Sequence, residues 1–155
     1  MKSRIACTWL ASMFVIALIV STAAAAQAEE RRCSMARSSG KWAFTDNGTV
    51  IGVGPRTAVG VFTFDGEGNV LNGIATSSLN GSVAEETFSG TYTVNSDCTG
   101  TVTVKIFASG TEILDLTMNV SFDDGMKEVR GIFTSVTEPN GTALPTVINL
   151  QARKQ

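Results

Sequence analysis

The sequence predicts an all-β fold, an eight-stranded antiparallel up-and-down (meander) β-barrel, on three observations. After Ala43 the chain is a series of short runs rich in threonine, valine and aromatic residues, which favour strands. The runs recur every 10 to 14 residues and end at turn signals, a spacing typical of sandwiches and barrels. They follow one another without a long crossover, which favours a meander over a Greek key. A closed barrel is favoured over a sandwich because closure removes exposed sheet edges.

Each predicted strand ends at a turn signal. The eight runs are residues 40–46, 57–64, 69–79, 83–94, 101–108, 111–122, 126–136 and 143–152. The main breaks are 47–48, 65–68, 80–81, 95–100, 109–110, 123–125 and 139–141. Asn-Gly and Asp-Gly pairs at several of these breaks suit tight hairpins, because both central residues adopt positive φ. The glycine-rich stretch 52–56 is predicted as a wide turn rather than an anion-binding loop, because no helix follows it.

Strict alternation in several runs predicts strands with one buried and one solvated face. In the run 111–122 the apolar face carries Leu114, Leu116, Met118, Val120 and Phe122, and the other face is polar. Alternation of this kind is typical of antiparallel strands that pack on a core with one side only.

The first 28 residues have the three parts of a secretory signal. Lys2 and Arg4 give a positive start, residues 9–20 form an apolar core, and Ala26-Gln27-Ala28 provides an A-x-A site. We therefore predict cleavage after Ala28 and a secreted or periplasmic protein. An uncleaved anchor is the alternative, because the apolar segment is long enough to cross a bilayer, but its alanine-rich end suits that role poorly.

Cleavage would leave a mature chain of 127 residues, 29–155. This chain has ten basic and fourteen acidic residues, a net charge of −4, and no basic run. That balance argues against nucleic acid as a partner. The length suits one domain, predicted as a barrel over residues 40–155.

Two cysteines remain in the mature chain, and in an exported protein they are predicted to form a disulfide. Cys33 and Cys98 would tether the leading segment, residues 29–39, to the turn at 95–100. No metal site is predicted, because the chain has no histidine and two cysteines are too few ligands. Nothing in the sequence indicates a cofactor.

Four residues are candidates for ligand binding. Strand parity places Glu86 on the face of Tyr92, which allows an inward carboxyl near one barrel mouth, although its closeness to the turn at 80–81 favours a rim position in solvent. Asn72 is predicted inward by the same parity argument, either as a ligand contact or as a polar filler. Trp42, in the first strand, is the only tryptophan of the mature chain.

The stretch 58–104 resembles a family of small secreted bacterial proteins without an assigned activity. The shared pattern joins a TFDGxGNVxG hairpin to GTYTVNxDCTGT, here TFDGEGNVLNG and GTYTVNSDCTGT, with a cysteine upstream. The resemblance implies export, a disulfide and an all-β barrel. More distantly, the chain is similar to calycin and allene oxide cyclase-like barrels, and Gly40-Lys41-Trp42 matches the Gly-x-Trp opening of lipocalins and avidins.

Three functions are compatible with these observations. The first is an exported barrel that binds a small apolar or amphipathic molecule in its interior. The second is a solid-core structural or interaction protein of the cell envelope, and the third a shape-guided cyclase or isomerase using Glu86 and Tyr92. An enzyme is the least favoured of the three. Inward glycines are compatible with a cavity and equally with relief of strand coiling, and they are Gly60, Gly73, Gly90 and Gly131.

Overall fold

The computed structural model describes residues 33–123 and 125–155. The predicted signal peptide and residues 29–32 of the leading segment lie outside this part of the chain. The described residues form a closed barrel of eight antiparallel strands, preceded by one helical turn. The elements are α1 (Met35–Ser38), β1 (Gly40–Val50), β2 (Gly54–Phe64), β3 (Asn69–Leu79), β4 (Ser82–Tyr92), β5 (Thr99–Ala108), β6 (Thr111–Phe122), β7 (Glu128–Thr137) and β8 (Thr146–Lys154).

Every strand pairs with its neighbours in sequence, and the first strand pairs with the last. The β1–β8 ladder runs from Trp42 opposite Lys154 to Val50 opposite Thr146, which closes the sheet. The predicted eight-stranded antiparallel meander barrel is therefore confirmed. Within the described residues no helix is long and apolar enough to cross a membrane.

Two predicted hairpin turns have the backbone that their sequences favour. Asn80 and Gly81 have φ of 50° and 87°, and Ser109 and Gly110 have φ of 50° and 81°. Positive φ at both central residues matches the right-handed twist of the flanking strands. These two-residue turns connect β3 to β4 and β5 to β6.

The predicted turn at Asn47-Gly48 is wrong, because both residues lie inside β1. Gly48 pairs with Ile148 of β8, and a Cβ at Gly48 would overlap the backbone of Val147 and Ile148. Glycine is used here for close approach between two strands rather than for a turn. The first turn is instead residues 51–53, so β2 begins at Gly54 and includes Arg56.

A bulge in β3 changes which side chains point inward. The register with β4 shifts between Val70 and Gly73, and Asn72 has a φ of 53°. Beyond the bulge the buried side of β3 carries Ala75 rather than its neighbours in sequence. The predicted inward position of Asn72 is therefore wrong: the residue is exposed on the outside of the barrel.

The two ends of the barrel are built differently. The closed end carries α1 and the turns at 65–68, 93–98 and 123–127. The predicted disulfide joins Cys33, just before α1, to Cys98, 65 residues later, and is confirmed. The open end carries the turns at 51–53, 80–81 and 109–110 and the longer loop 138–145.

Candidate functional site

Aromatic side chains fill the barrel at the closed end. Phe64 stacks on Tyr92 with ring centroids 3.9 Å apart, and Trp42 meets Phe64 and Phe122 edge to face at 5.8 and 6.3 Å. Trp42 is fully buried. Such rings bury large apolar areas, so this layer is a solid part of the core.

The helical turn α1 is hydrogen-bonded onto this aromatic layer. Trp42 Nε1 donates to the carbonyl oxygen of Ser38 at 2.9 Å. The Tyr92 hydroxyl accepts from the Gly66 amide at 3.2 Å and donates to the Met35 carbonyl oxygen at 3.3 Å. Burial raises the pKa of Tyr92 above its usual 10.0, so the phenol keeps its proton at neutral pH. Trp42 and Tyr92 therefore seal the closed end and do not line a cavity.

A small chamber lies above this layer. It has a volume of about 50 Å³, which is room for only a few heavy atoms. Its walls are mostly apolar and include Phe44, Phe62 and Phe88, whose rings contact one another. Its polar lining consists of Asp46, Arg56 and Glu86.

These three charged residues form a buried cluster, which we call the charged cluster. Arg56 binds Glu86 through two hydrogen bonds, Nη1 to Oε1 at 3.3 Å and Nη2 to Oε2 at 3.1 Å. Ser77 Oγ donates to Glu86 Oε1 at 2.6 Å. Arg56 Nε lies 3.7 Å from Asp46 Oδ1. Asp46, Glu86 and Arg56 expose only 2%, 5% and 8% of their surface, so the cluster is inside the barrel rather than on its rim.

The cluster contains two carboxyl groups and one guanidinium group. Burial raises the pKa of Asp46 above 3.8, Arg56 opposes that rise, and the charge of Glu86 adds to it. Burial alone would lower the pKa of Arg56, but the hydrogen bond with Glu86 and the two carboxylate charges outweigh it and raise that pKa. Arg56 is therefore charged at any physiological pH. Burial opposes the ionisation of both groups, but only for Asp46 does it outweigh the opposite charge beside it, so the pKa of Asp46 moves towards the neutral form.

Above the cluster a larger recess, the vestibule, faces the open end. Its volume is about 330 Å³, within the range of small-molecule sites. Half-buried aliphatic side chains form much of its wall, and they are Leu79, Ile113, Leu114 and Leu144. Arg56, Ile106, Leu116 and Phe133 line both the vestibule and the chamber, so the two spaces meet at the level of Arg56.

The structure brings only one of the four sequence-predicted candidates to this site. Glu86 lines the chamber, but its preferred position as a rim glutamate in solvent is wrong, because Arg56 and Ser77 hold it inside. Glu86 and Tyr92 are six residues apart on one strand, about 20 Å at the rise of an extended chain. They therefore do not converge on one reacting atom.

Sequence reasoning missed Asp46 and Arg56. Asp46 has the parity of Trp42 and Phe44 in β1, and Arg56 has that of Phe62 in β2. Alternation over the full strands would have placed both inside. Arg56 lies just outside the predicted strand 57–64, which concealed its signal, whereas Asp46 is the last residue of the predicted strand 40–46 and its parity was already visible there.

The inward glycines leave space for neighbouring aromatic rings in the barrel wall and do not enlarge a cavity. A Cβ at Gly60 would lie 2.7 Å from Cε1 of Phe44, and a Cβ at Gly73 would overlap the ring of Phe88. Aromatic rings therefore lie where these glycines have no side chain. Ring packing was not among the predicted roles of these glycines, and it is the role that these contacts support.

Across the described residues, no group of three or more His, Cys, Asp or Glu side chains is placed to hold a metal ion. Asp46 and Glu86 are two carboxylates with a guanidinium between them. Their arrangement is that of an ion-pair cluster and not of a cation site.

Comparison with known proteins identifies the fold and no family. No protein-family model matches the chain, and no curated protein matches it either. Among solved structures, EF1p2_mFAP2b bound to DFHBI matches with a TM-score of 0.56 and 14% identity, over 79% of this chain and 100% of that chain. The redesigned β-barrel mFAP1 bound to DFHBI matches with a TM-score of 0.51 and 14% identity, over 79% and 98%. The S-type phycobiliprotein lyase CPES from Guillardia theta matches with a TM-score of 0.47 and 11% identity, over 83% and 96%.

Proposed function

We propose that this protein is an exported binding module that holds a small apolar or amphipathic molecule at the open end of its barrel. The observation that carries the proposal is the vestibule, an aliphatic recess of about 330 Å³ with a buried charged residue, Arg56, at its base. Apolar walls with a few placed polar groups are the usual composition of a small-molecule site. The aromatic layer fills the barrel interior at the closed end, so interior space for a ligand lies in the other half.

The walls of the vestibule are incompletely covered by the protein itself. Leu79, Ile113, Leu114 and Leu144 pack against the core with one side and remain half-buried. A ligand that covered their remaining apolar surface would gain about 25 cal/mol for each Å² removed from water. Two barrels of similar fold are bound to the small molecule DFHBI, which supports small-molecule binding by a barrel of this kind.

Export is part of this proposal. The amino-terminal sequence has the form of a secretory signal, and the Cys33–Cys98 disulfide is of the kind that persists in oxidising compartments. Intact mass of the exported protein tests it. A chain that begins at Glu29 with both thiols oxidised is expected, and a chain that retains residues 1–28 would contradict it.

A second candidate function, that of a structural or interaction protein that acts through its outer surface, is favoured by a different observation. The outer face of β2, β3 and β4 exposes Val59, Ile74 and Val83 by 62%, 55% and 70%. A barrel that acts through its outer surface would use such side chains. Native mass spectrometry of protein exported with its own signal, followed by solvent extraction, separates the two functions. An excess mass that extracts as one compound class supports the binding module.

A matched pair of variants tests the position of the site. Ile113→Glu places a charge in the vestibule wall, and Ile132→Glu places the same charge on the outside, where Ile132 is 55% exposed. Titration with the uncharged dye Nile red is expected to show binding that Ile113→Glu abolishes and Ile132→Glu preserves. Equal loss in both variants, or no dye binding by the wild type, would contradict the proposal. Circular dichroism confirms that both variants are folded.

A further inference from the structure

Asp46 carries a buried oxygen without a hydrogen-bond partner. Among the described residues, Oδ1 of Asp46 is the one buried side-chain N or O atom in that condition. The closest cationic atom is Arg56 Nε at 3.7 Å, beyond hydrogen-bond distance. Asp46 lines the chamber, and the chamber meets the vestibule at the level of Arg56.

Arg56 has no uncompensated charge to offer a ligand. Its two Nη atoms are bound to the two oxygens of Glu86, and its Nε faces Asp46. Two carboxylates therefore surround one guanidinium. With all three groups ionised the cluster has a charge of −1, and with Asp46 protonated it has none. In neither state does the base of the vestibule attract an anion.

We propose that the site selects amphipathic molecules with a hydrogen-bond-donating head, an alcohol or an amine, over the corresponding carboxylates, and that the head donates to Oδ1 of Asp46. This inference rests on the proposed function and names its ligand class. A carboxylate head would bring a third negative group beside Asp46 and Glu86 in an environment of low dielectric constant, where like charges repel strongly. A hydroxyl or ammonium group instead gives a hydrogen bond to a buried acceptor that otherwise has only the ion pair with Arg56 at 3.7 Å.

The dimensions of the two spaces support this orientation. The chamber, at about 50 Å³, admits a head group but not a chain, whereas the vestibule, at about 330 Å³, is lined by aliphatic carbon and suits the tail. Burial raises the pKa of Asp46. An ammonium head would favour its ionised form, in the same way that Arg56 already does.

Displacement of Nile red by three ligands of equal chain length tests the proposal: octan-1-ol, octylamine and octanoate at neutral pH. The comparison of octylamine with octanoate is the decisive one, because both heads are charged and must lose water. We expect octylamine to bind about tenfold tighter than octanoate, or about 1.4 kcal/mol. Octan-1-ol is expected to bind tighter than octanoate as well.

A matched pair of variants assigns the selectivity to Asp46. Asp46→Asn removes the buried carboxylate, and Asp115→Asn removes a half-exposed carboxylate paired with Lys105 on the outside. We expect Asp46→Asn to remove the advantage of octylamine over octanoate and Asp115→Asn to keep it. If both variants keep it, the assignment to Asp46 is overturned.

The ligand series on the wild type decides the proposal even if a variant fails to fold. Octanoate binding as tightly as octylamine would overturn the head-group inference and leave the binding module standing. No displacement by any of the three ligands would overturn both.

Discussion

The closed and open ends of this barrel have the same strands but different interiors. At the closed end Trp42, Phe64, Tyr92 and Phe122 fill the barrel, and α1 is hydrogen-bonded over them. At the open end, half-buried aliphatic side chains surround a vestibule of about 330 Å³. The charged cluster lies between the two.

Under the proposed function, the closed end would serve stability and the open end binding. A filled aromatic layer contributes buried area and contacts that the unfolded chain lacks, so changes there cost folding free energy. Half-buried walls contribute less to folding and retain apolar surface for a ligand. Changes at the closed end are therefore expected to lower stability without altering ligand affinity, and changes at the open end to do the reverse.

The largest expected effect is that of Trp42→Ala. The substitution removes a fully buried ring and its hydrogen bond to Ser38, and we expect it to lower the free energy of unfolding by about 3–5 kcal/mol. Urea denaturation followed by circular dichroism measures the loss. Nile red affinity should remain that of the wild type. A decrease of less than about 1 kcal/mol in the free energy of unfolding would contradict the proposed role of the closed end in stability.

The disulfide is expected to have the next largest effect. Replacing Cys33 and Cys98 together by serine opens a loop of 65 residues, and a loss of about 2–4 kcal/mol in the free energy of unfolding is typical of such a crosslink. Wild-type protein under reducing conditions should lose a similar amount. Weakened dye binding in the folded double variant would show that the closed end also shapes the vestibule.

Glu86→Gln tests the charged cluster, which lies between the closed and the open end. The amide keeps the shape of the side chain but places an N–H₂ group beside Arg56, which has lost a charged partner. We expect a loss of about 1.5–3 kcal/mol, the range for hydrogen bonds to charged groups. Chemical denaturation at neutral pH checks this value. An unchanged or increased stability would mean that Glu86 is not a favourable part of the cluster.

The smallest effect is a pH dependence at Asp46. The folded protein raises the pKa of Asp46 above 3.8, so the folded state binds this proton more tightly than the unfolded chain. The contribution of Asp46 to the free energy of unfolding therefore falls as pH rises from 3.8 to the folded-state pKa, and the full loss is present above that pKa.

Asp46→Asn removes this contribution. The stability of the variant minus that of the wild type should increase with pH through that window and then stay constant. Parallel urea titrations between acidic and neutral pH measure the difference. A difference that is independent of pH would show that Asp46 has the same pKa in both states.

The sequence predicts the barrel well because its signals are local. Alternation and turn dipeptides at Asn80-Gly81 and Ser109-Gly110 mark strands and hairpins directly, and the two cysteines of the predicted mature chain allow one pairing. The prediction fails where a residue that is typical of turns is instead required by a strand that is distant in sequence. Asn47-Gly48 has the composition of a turn, but the glycine is needed for the close approach of β8.

The site is less predictable for the same reason. The bulge at Asn72 exchanges the inward and outward positions of β3. The neighbouring sequence contains no signal that predicts this bulge. Glu86 was predicted on the solvent rim because a glutamate near a turn is usually solvated. Its burial depends on Arg56 and Ser77, which reach it from two other strands. Strand parity places Asp46 inward even within the predicted run 40–46, and it would have placed Arg56 inward if β2 had begun before residue 57.

The most direct test of the division between the two ends is photolabelling with an aliphatic alcohol that carries a diazirine, followed by peptide mapping. The account predicts labels on the segments that contain Val53, Leu114 and Leu144 at the open end. It also predicts competition by octan-1-ol. Labels confined to the outer face around Val59 and Ile74 would contradict it, because they would mean that the barrel interior is closed to ligands.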